Sequence, residues 1–560
     1  TLRKDSTSFL AMKDDTVTVK EEEKAEAKEE KPGKQSKKNK KEEAPKEEKP
    51  EGVIIDLENM ESRLELLGVA PGNLGHLTAF KDKIVYMRYP NTGSGGGAPS
   101  LKLYDFDKKE EKTILDGITS YQASGDKNKL LVMKGAQFAV IEASEGARFD
   151  KPLSLSSMVA SIDPKAEWKQ IFMDAWRIQR DYFYDKNMHG VDWEAVKNNY
   201  LKVMEGAANR NDVAVVLGEM IAELNASHTY YGGGDLEQGK DKNAGYLGID
   251  WAADGLYYKV SKIIRGASWD TEVRSPLDKP GVGIREGAYI LAVNGLPITT
   301  AHQPFYYFAG LDNTTVELTY NDKPDFAGAK KALVKTLDDE SRLRNLAWIE
   351  GMRSHVDKST NGEVGYVYVP STGIDGQNEL MRMFNAQLHK KALIIDERFN
   401  NGGQIPDRFI EMLDRKPLVY WATRDGESWK WPPSGHFGPK VMLINGWSGS
   451  GGDAFPDYFK KRGLGPLVGT RTWGGLIGIS GAPELIDGAY VTAPTFRMYN
   501  LDGTWFREGH GVDPDIFVDE DLGAFSKGID VQLERAIEEA KRLVKAHPFV
   551  VPQRPGPEKR

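Results

Sequence analysis

Ala392-Leu393-Ile394-Ile395-Asp396-Glu397-Arg398-Phe399-Asn400-Asn401-Gly402-Gly403 decides the fold, together with its echo Val441-Met442-Leu443-Ile444-Asn445-Gly446-Trp447-Ser448-Gly449-Ser450-Gly451-Gly452-Asp453. Each is a short apolar run that breaks into glycines just before a helical pattern. Runs of this kind, with a third at Val364-Gly365-Tyr366-Val367-Tyr368-Val369, read as strands buried on both faces. That predicts an α/β layer with a buried sheet. Sites in such layers lie at the carboxyl ends of strands, where loops feed helix N-termini.

The second strand end carries the chemistry. Its glycines let a substrate approach the backbone closely, and the helix after it offers N–H groups and partial positive charge to a developing oxyanion. Ser450 is the candidate nucleophile. No Lys-Ser/Thr pair follows the glycines, which excludes a phosphate-binding P-loop. Two such ends side by side predict two backbone N–H donors around one carbonyl oxygen. The chain has no cysteine, so thiol nucleophiles, zinc ribbons and disulfide frameworks are excluded. Among the nine histidines, His228 and His510 both lie in loops near glycines and polar neighbours. Spacing leaves the choice of base open between them, because the order of such residues varies freely among folds. No His-Glu-x-x-His helix is present, so no metal site is expected.

Outward from this core, the 560 residues imply roughly three or four domains. From Val19 to Glu51 the sequence is nearly all Lys, Glu, Ala and Pro without an aromatic residue, which predicts a disordered insert within an N-terminal remnant, residues 1–52. Short alternating runs such as Ser100-Leu101-Lys102-Leu103-Tyr104 and Lys129-Leu130-Leu131-Val132-Met133 predict antiparallel meanders over 53–162. They resemble β-propeller blades, too few to close a ring. At Asp163-Pro164 the period becomes helical, predicting a helical segment over 163–240 that carries Ser227-His228. Residues 241–340 resemble a PDZ domain, through Gly245-Tyr246-Leu247-Gly248-Ile249 and the later Arg285-Glu286-Gly287…Ile290-Leu291-Ala292-Val293-Asn294-Gly295. In that family the first loop offers N–H groups to a peptide's carboxylate and an edge strand takes up the peptide. The α/β region is placed at 341–545 and a tail at 546–560.

A net charge of −8 gives no basic field for a phosphate backbone, so nucleic acid is not expected as a partner. No apolar run is long enough to span a bilayer, and the opening Thr1-Leu2-Arg3-Lys4 has neither an initiator Met nor a signal-peptide core, which suggests a processed or truncated piece.

The Asp-Glu-Arg-Phe-Asn-Asn-Gly-Gly stretch, the Asn-x-x-Ser-Gly-Ser-Gly-Gly-Asp stretch and the PDZ-like insert together resemble the C-terminal processing peptidases. Ser227-His228, and Arg507-Glu508-Gly509-His510-Gly511-Val512-Asp513-Pro514-Asp515, resemble the tricorn protease branch more closely. The resemblance covers about residues 53–545 and implies a ClpP/crotonase-like catalytic core and a serine peptidase without cofactor. It implies a Ser-His-Ser-Glu tetrad, here Ser450 as nucleophile, His228 as base, Ser227 orienting it and Glu508 behind them. Gly403 and Gly451 would form the oxyanion hole, and Asp425 would supply an acidic pocket for Lys or Arg. It further implies oligopeptide substrates, a homo-oligomer (a hexamer) and a cytoplasmic location, with the periplasm as the alternative. The rival from another class is a non-catalytic peptide-binding scaffold of propeller and PDZ modules.

Overall fold

The computed structural model describes residues 3–5, 54–90, 98–237, 239 and 242–559. The Lys/Glu-rich stretch expected to be disordered lies outside them. The chain divides into two compact units, Thr1–Ser161 and Ile162–Arg560.

The first unit holds two antiparallel meanders. One joins β1 (Asn73–Ala79), β2 (Lys83–Tyr89), β3 (Ser100–Asp105) and β4 (Glu110–Asp116) in sequence order; the other joins β5 (Ser120–Ala123), β6 (Lys129–Lys134) and β7 (Gln137–Glu142). Alternation does the work here: Leu101, Leu130 and Val132 are buried while their chain neighbours are more exposed.

The second unit begins with three helices, α1 (Pro164–Tyr182), α2 (Trp193–Met204) and α3 (Arg210–Ala222). Asp163 caps α1 by accepting from the Lys165 and Ala166 N–H groups, with Pro164 in the first turn, where its missing N–H costs nothing. At α3 the Asp212 N–H donates to Asn209 Oδ1 while the Asn209 N–H donates back to Asp212. The helical core is completed from far along the chain by Leu485, Ala489, Val491 and Ala493. The buried Arg210–Asp487 ion pair (2.8 Å) and a hydrogen bond from Gln179 Nε2 to Thr492 O clamp that excursion in place. Losing one partner of such a pair costs about 3–5 kcal/mol, because the other charge stays buried and unpaired.

Next comes an antiparallel sheet of β8 (Ile249–Asp254), β9 (Tyr257–Ile263), β10 (Tyr289–Val293), β11 (Thr315–Asn321) and β12 (Lys330–Lys335), in the spatial order β12-β11-β10-β9-β8, with Leu296–Pro297 paired beside β10. Its β8 is an edge strand. The helix α4 (Ser341–Ser359) then leads to a fully parallel sheet of β13 (Val364–Tyr368), β14 (Ala392–Asp396), β15 (Lys440–Ile444), β16 (Leu467–Gly469) and β17 (Ile516–Phe517), ordered as numbered. Every residue of β13, β14, β15 and β16 is buried, as the continuous apolar runs require. The helices α5 (Ile374–Ala386), α6 (Pro406–Leu413), α7 (Gly451–Lys461) and α8 (Val531–Ala546) contribute to its core. Asp396 of β14 pairs with Leu443 of β15, so the two glycine-rich ends emerge from the sheet side by side.

Candidate active site

Where β14 and β15 end, their loops are laced together by backbone and short polar side chains. The Gly449 N–H donates to Asn400 O, Asn400 Oδ1 accepts from the Gly402 N–H, and Ser448 Oγ donates to Glu397 O. Asn445 Oδ1 accepts from the N–H groups of Phe399 and Trp447. These contacts explain the small residues: a Cβ on Gly451 would come within 2.0 Å of Thr372 Oγ1 and 2.7 Å of Gly403 N, and one on Gly402 would meet Ser450 Cβ at 2.9 Å. The N–H groups of Gly403 and Gly451 donate no hydrogen bond among the described residues.

Ser450 immediately precedes α7 with φ 58° and ψ −114°, a conformation that disfavours any residue with a Cβ. Such strain costs about 1–3 kcal/mol and persists only where the surroundings hold it. Asp453, in the first turn of α7, does that holding: it accepts from the Ser450 N–H at 2.8 Å, from Thr472 Oγ1 at 2.5 Å and from the Gly474 N–H at 2.7 Å. Burial nevertheless pushes its carboxyl up to about 6. Near it, Glu397 is fully buried, and neither of its carboxyl oxygens has a hydrogen-bond partner among the described residues. Burial first and the nearby Asp453 second push its pKa well above the usual carboxylate range. Asp396 next to it forms a buried pair with Arg398 (2.7 Å), which also holds Asp530 at 2.8 Å.

A second cluster comes from the end of the helical segment. Ser227 Oγ and His228 Nδ1 lie 3.0 Å apart. Glu508 accepts from the Ser227 backbone N–H at 3.1 Å through one oxygen and from the Leu476 N–H at 3.0 Å through the other. Its contact with Ser227 is therefore through the main chain. His228 takes φ 56° and is pinned by Thr492 Oγ1, which donates to its carbonyl. Burial lowers its pKa below 6.5 while the Glu508 charge acts in the opposite direction, so the ring is held neutral at pH 7.

Trp473 links the clusters. A Cβ on Gly449 would strike its ring at 2.6 Å, a Cβ on Gly475 would meet both that ring and Ser227 Cβ, and the ring centroid is 5.9 Å from that of His228. No hydrogen bond joins Ser450 to His228. The structure thus brings Ser227, His228 and Glu508 into one hydrogen-bonded group and Ser450, Gly402, Gly403 and Gly451 into another. His510 lies elsewhere, 2.8 Å from Asp513 Oδ2 and 3.3 Å from Arg471. Asp425 sits at the tip of the hairpin between Val419–Trp421 and Trp429–Trp431, its side chain 89% exposed, with Arg424 as its charged neighbour. Sequence reasoning assigned no role to Asp453, Glu397 or Trp473. The one available signal was a third strand end, β16, that also runs into glycines at Trp473-Gly474-Gly475. No cluster of three or more metal-ligating side chains occurs among the described residues.

A strained serine thus lies at one strand end of the parallel sheet, and a half-buried histidine reaches its loop through Trp473. Residues 363–518 match the model of Peptidase family S41, 164–222 that of the Tricorn protease C1 domain and 245–339 that of the Tricorn protease PDZ domain. The region around Ser450 is accordingly an S41 serine peptidase domain. The chain is 30% identical over 520 residues to tricorn protease homolog 1 of Streptomyces coelicolor, covering 89% of this chain and 48% of that protein. It is 28% identical over 501 residues to the tricorn protease of Thermoplasma volcanium, covering 88% and 48%. The crystal structure of the tricorn protease superposes with a TM-score of 0.77 at 27% identity, over 89% of this chain and 49% of that one. The chain thus carries S41 peptidase, tricorn C1 and tricorn PDZ domain matches, and it spans about half the length of the curated relatives it matches. No helix among the described residues is long and apolar enough to cross a membrane.

Proposed function

We propose that this chain hydrolyses peptide bonds by acyl-enzyme chemistry with Ser450, His228, Ser227 and Glu508 as its tetrad. The hydrogen-bonded Ser227–His228–Glu508 group, separated from the strained Ser450 by the Trp473 ring, carries the reading. His228 gives its Nδ1 side to Ser227, which leaves Nε2 to take the Ser450 proton as Oγ attacks the scissile carbonyl carbon. The Gly403 and Gly451 N–H groups, free of other acceptors, receive the tetrahedral oxyanion. As the C–N bond breaks, the proton passes from His228 to the leaving amine. Water, deprotonated by the same imidazole, then attacks the acyl carbon and releases Ser450. Glu508 stabilises the imidazolium that exists between these transfers.

In the same reading, residues 53–162 are the last blades of a propeller, 163–240 and 341–545 the two parts of the catalytic core, and 241–340 the PDZ-like domain between them. The two blade-sized meanders support the first of these assignments. Substrates are oligopeptides, the assembly is a homohexamer and the compartment is the cytoplasm, all by likeness to the tricorn proteases. Asp425 selects basic P1 residues only if assembly carries its exposed hairpin to a Ser450 site.

A fluorophosphonate probe tests the chemistry. Mass mapping is expected to find the adduct on Ser450 of the wild type and on neither Ser450→Ala nor His228→Ala. A folded wild-type chain that takes up no probe would favour a non-catalytic scaffold instead.

A further inference from the structure

The loop Gly245–Gly248 enters the edge strand β8, and by its PDZ likeness it is where a peptide's C-terminal carboxylate would be received. A carboxylate is already there. Glu340 Oε2 accepts from the Gly248 N–H at 3.0 Å, while Glu340 Oε1 accepts from Arg344 Nε at 2.8 Å. Glu340 stands at the N-cap of α4 yet makes no side-chain bond to that helix's N–H groups, so its carboxylate is turned away from its usual local use. Leu343, one turn further on and buried, packs on the same glycine: a Cβ on Gly248 would come within 2.7 Å of Leu343 Cδ2. The first turn of α4 thus presents a carboxylate and an aliphatic side chain together, the two groups by which an apolar C-terminal residue is recognised. Arg344 extends the occupation along the strand edge by donating to Ile249 O at 2.9 Å and to Asp250 Oδ1 at 2.7 Å.

We infer that the carboxylate site of the PDZ-like domain is filled from within by Glu340, so that the loop seats α4 and admits a peptide C-terminus only when that carboxylate is removed. The geometry also gives the loop a mechanical role. The helix α4 packs directly on β13 of the parallel sheet, so Glu340 and Arg344 tie the antiparallel sheet to the catalytic one through a single rigid element.

The test uses the full chain carrying Ser450→Ala, so that no peptide is consumed and the outcome does not depend on the proposed catalytic chemistry. Binding of a fluorescein-labelled heptapeptide ending in a free Leu carboxylate, and of the same peptide as its C-terminal amide, is read by anisotropy. With Glu340 present, both peptides are expected to bind weakly and alike. Glu340→Ala is expected to gain at least tenfold for the free acid over the amide, whereas Glu340→Gln, whose side-chain carbonyl still accepts from Gly248, gains little. Equal binding of the free acid before and after Glu340→Ala overturns the inference, as does a gain that ignores the carboxylate. Hydrogen exchange provides the second reading. In Glu340→Ala the Gly248 segment is expected to lose protection, regained on adding the free-acid peptide, while β10 and β11 stay protected; unchanged exchange at Gly248 also overturns the inference.

Discussion

His228 and His510 each stand beside an acid, and the difference between their surroundings separates the proposed base from an ordinary surface contact. His510 is only two residues from Glu508 in the chain, yet that carboxylate turns to the main chain of Ser227, 281 residues away, and to Leu476. His510 is left on Asp513, whose carboxyl it holds below the usual range in a solvent-accessible pair. Such pairs contribute about 0–1 kcal/mol and are screened by salt. His228 is half-buried, oriented through Nδ1, and has its charged form penalised by burial and partly restored by Glu508. Proximity along the chain counts for little against a fold that closes a loop from each end of the unit onto one spot.

The strongest way to break this comparison is at the nucleophile. Ser450→Ala is expected to lower kcat/KM by at least about 10⁴-fold on a fluorogenic peptide, with the melting temperature little changed. His228→Ala is expected to cost about as much, since removing either member disables the pair; activity within about tenfold of wild type would return the role of base to another group.

Glu508→Gln sharpens the comparison through pH. In the proposed mechanism His228 acts as a neutral base, so the acid limb of kcat/KM is expected below 6.5, in the direction burial sets. Glu508 raises that pKa, and replacing it by a neutral amide moves the limb to still lower pH while kcat falls by roughly 10–100-fold. An upward shift would mean that Glu508 does not face the ring electrostatically.

A smaller effect is expected at Asp453→Asn, with kcat down about tenfold as one acceptor is lost from the Ser450, Thr472 and Gly474 group. Stability moves the other way with pH. The folded state raises this carboxyl from 3.8 to about 6, so it binds the proton more tightly than the unfolded chain does. The cost of the buried charge is therefore present above pH 6 and relieved as pH falls toward 3.8. Thermal melts across that window are expected to show wild type gaining on Asp453→Asn as acid is added; a constant difference would place the titration elsewhere. Smallest of all, His510→Ala is expected to change kcat/KM less than about twofold, as for a surface pair.

These contrasts show how far residues alone reach. Ser450 and the two strand ends were readable because a buried strand, a glycine turn and a helix start each leave a local mark within a few residues. The helical segment was readable from its period, though not that Leu485 to Ala493 would complete its core. Asp453 was given no role from the sequence, although an acid in the first turn of a helix complements its N-terminus. Only in space does it prove to hold the nucleophile's own amide together with the loop that carries Trp473. The PDZ-like loop was recognisable from its glycines and apolar residues, but nothing in them announced that Glu340 would occupy it.

By itself, the sequence determined the buried α/β sheet, the candidate nucleophile and the exclusion of thiol chemistry, because these depend on residue type and short-range period. Tertiary structure alone decided which acid faces Ser227 and His228, which carboxyl is buried without a partner beside the Ser450 loop, and what fills the PDZ-like site. Those depend on burial and on distances between groups far apart in the chain, and the free energy of a charge is set by what surrounds it in space.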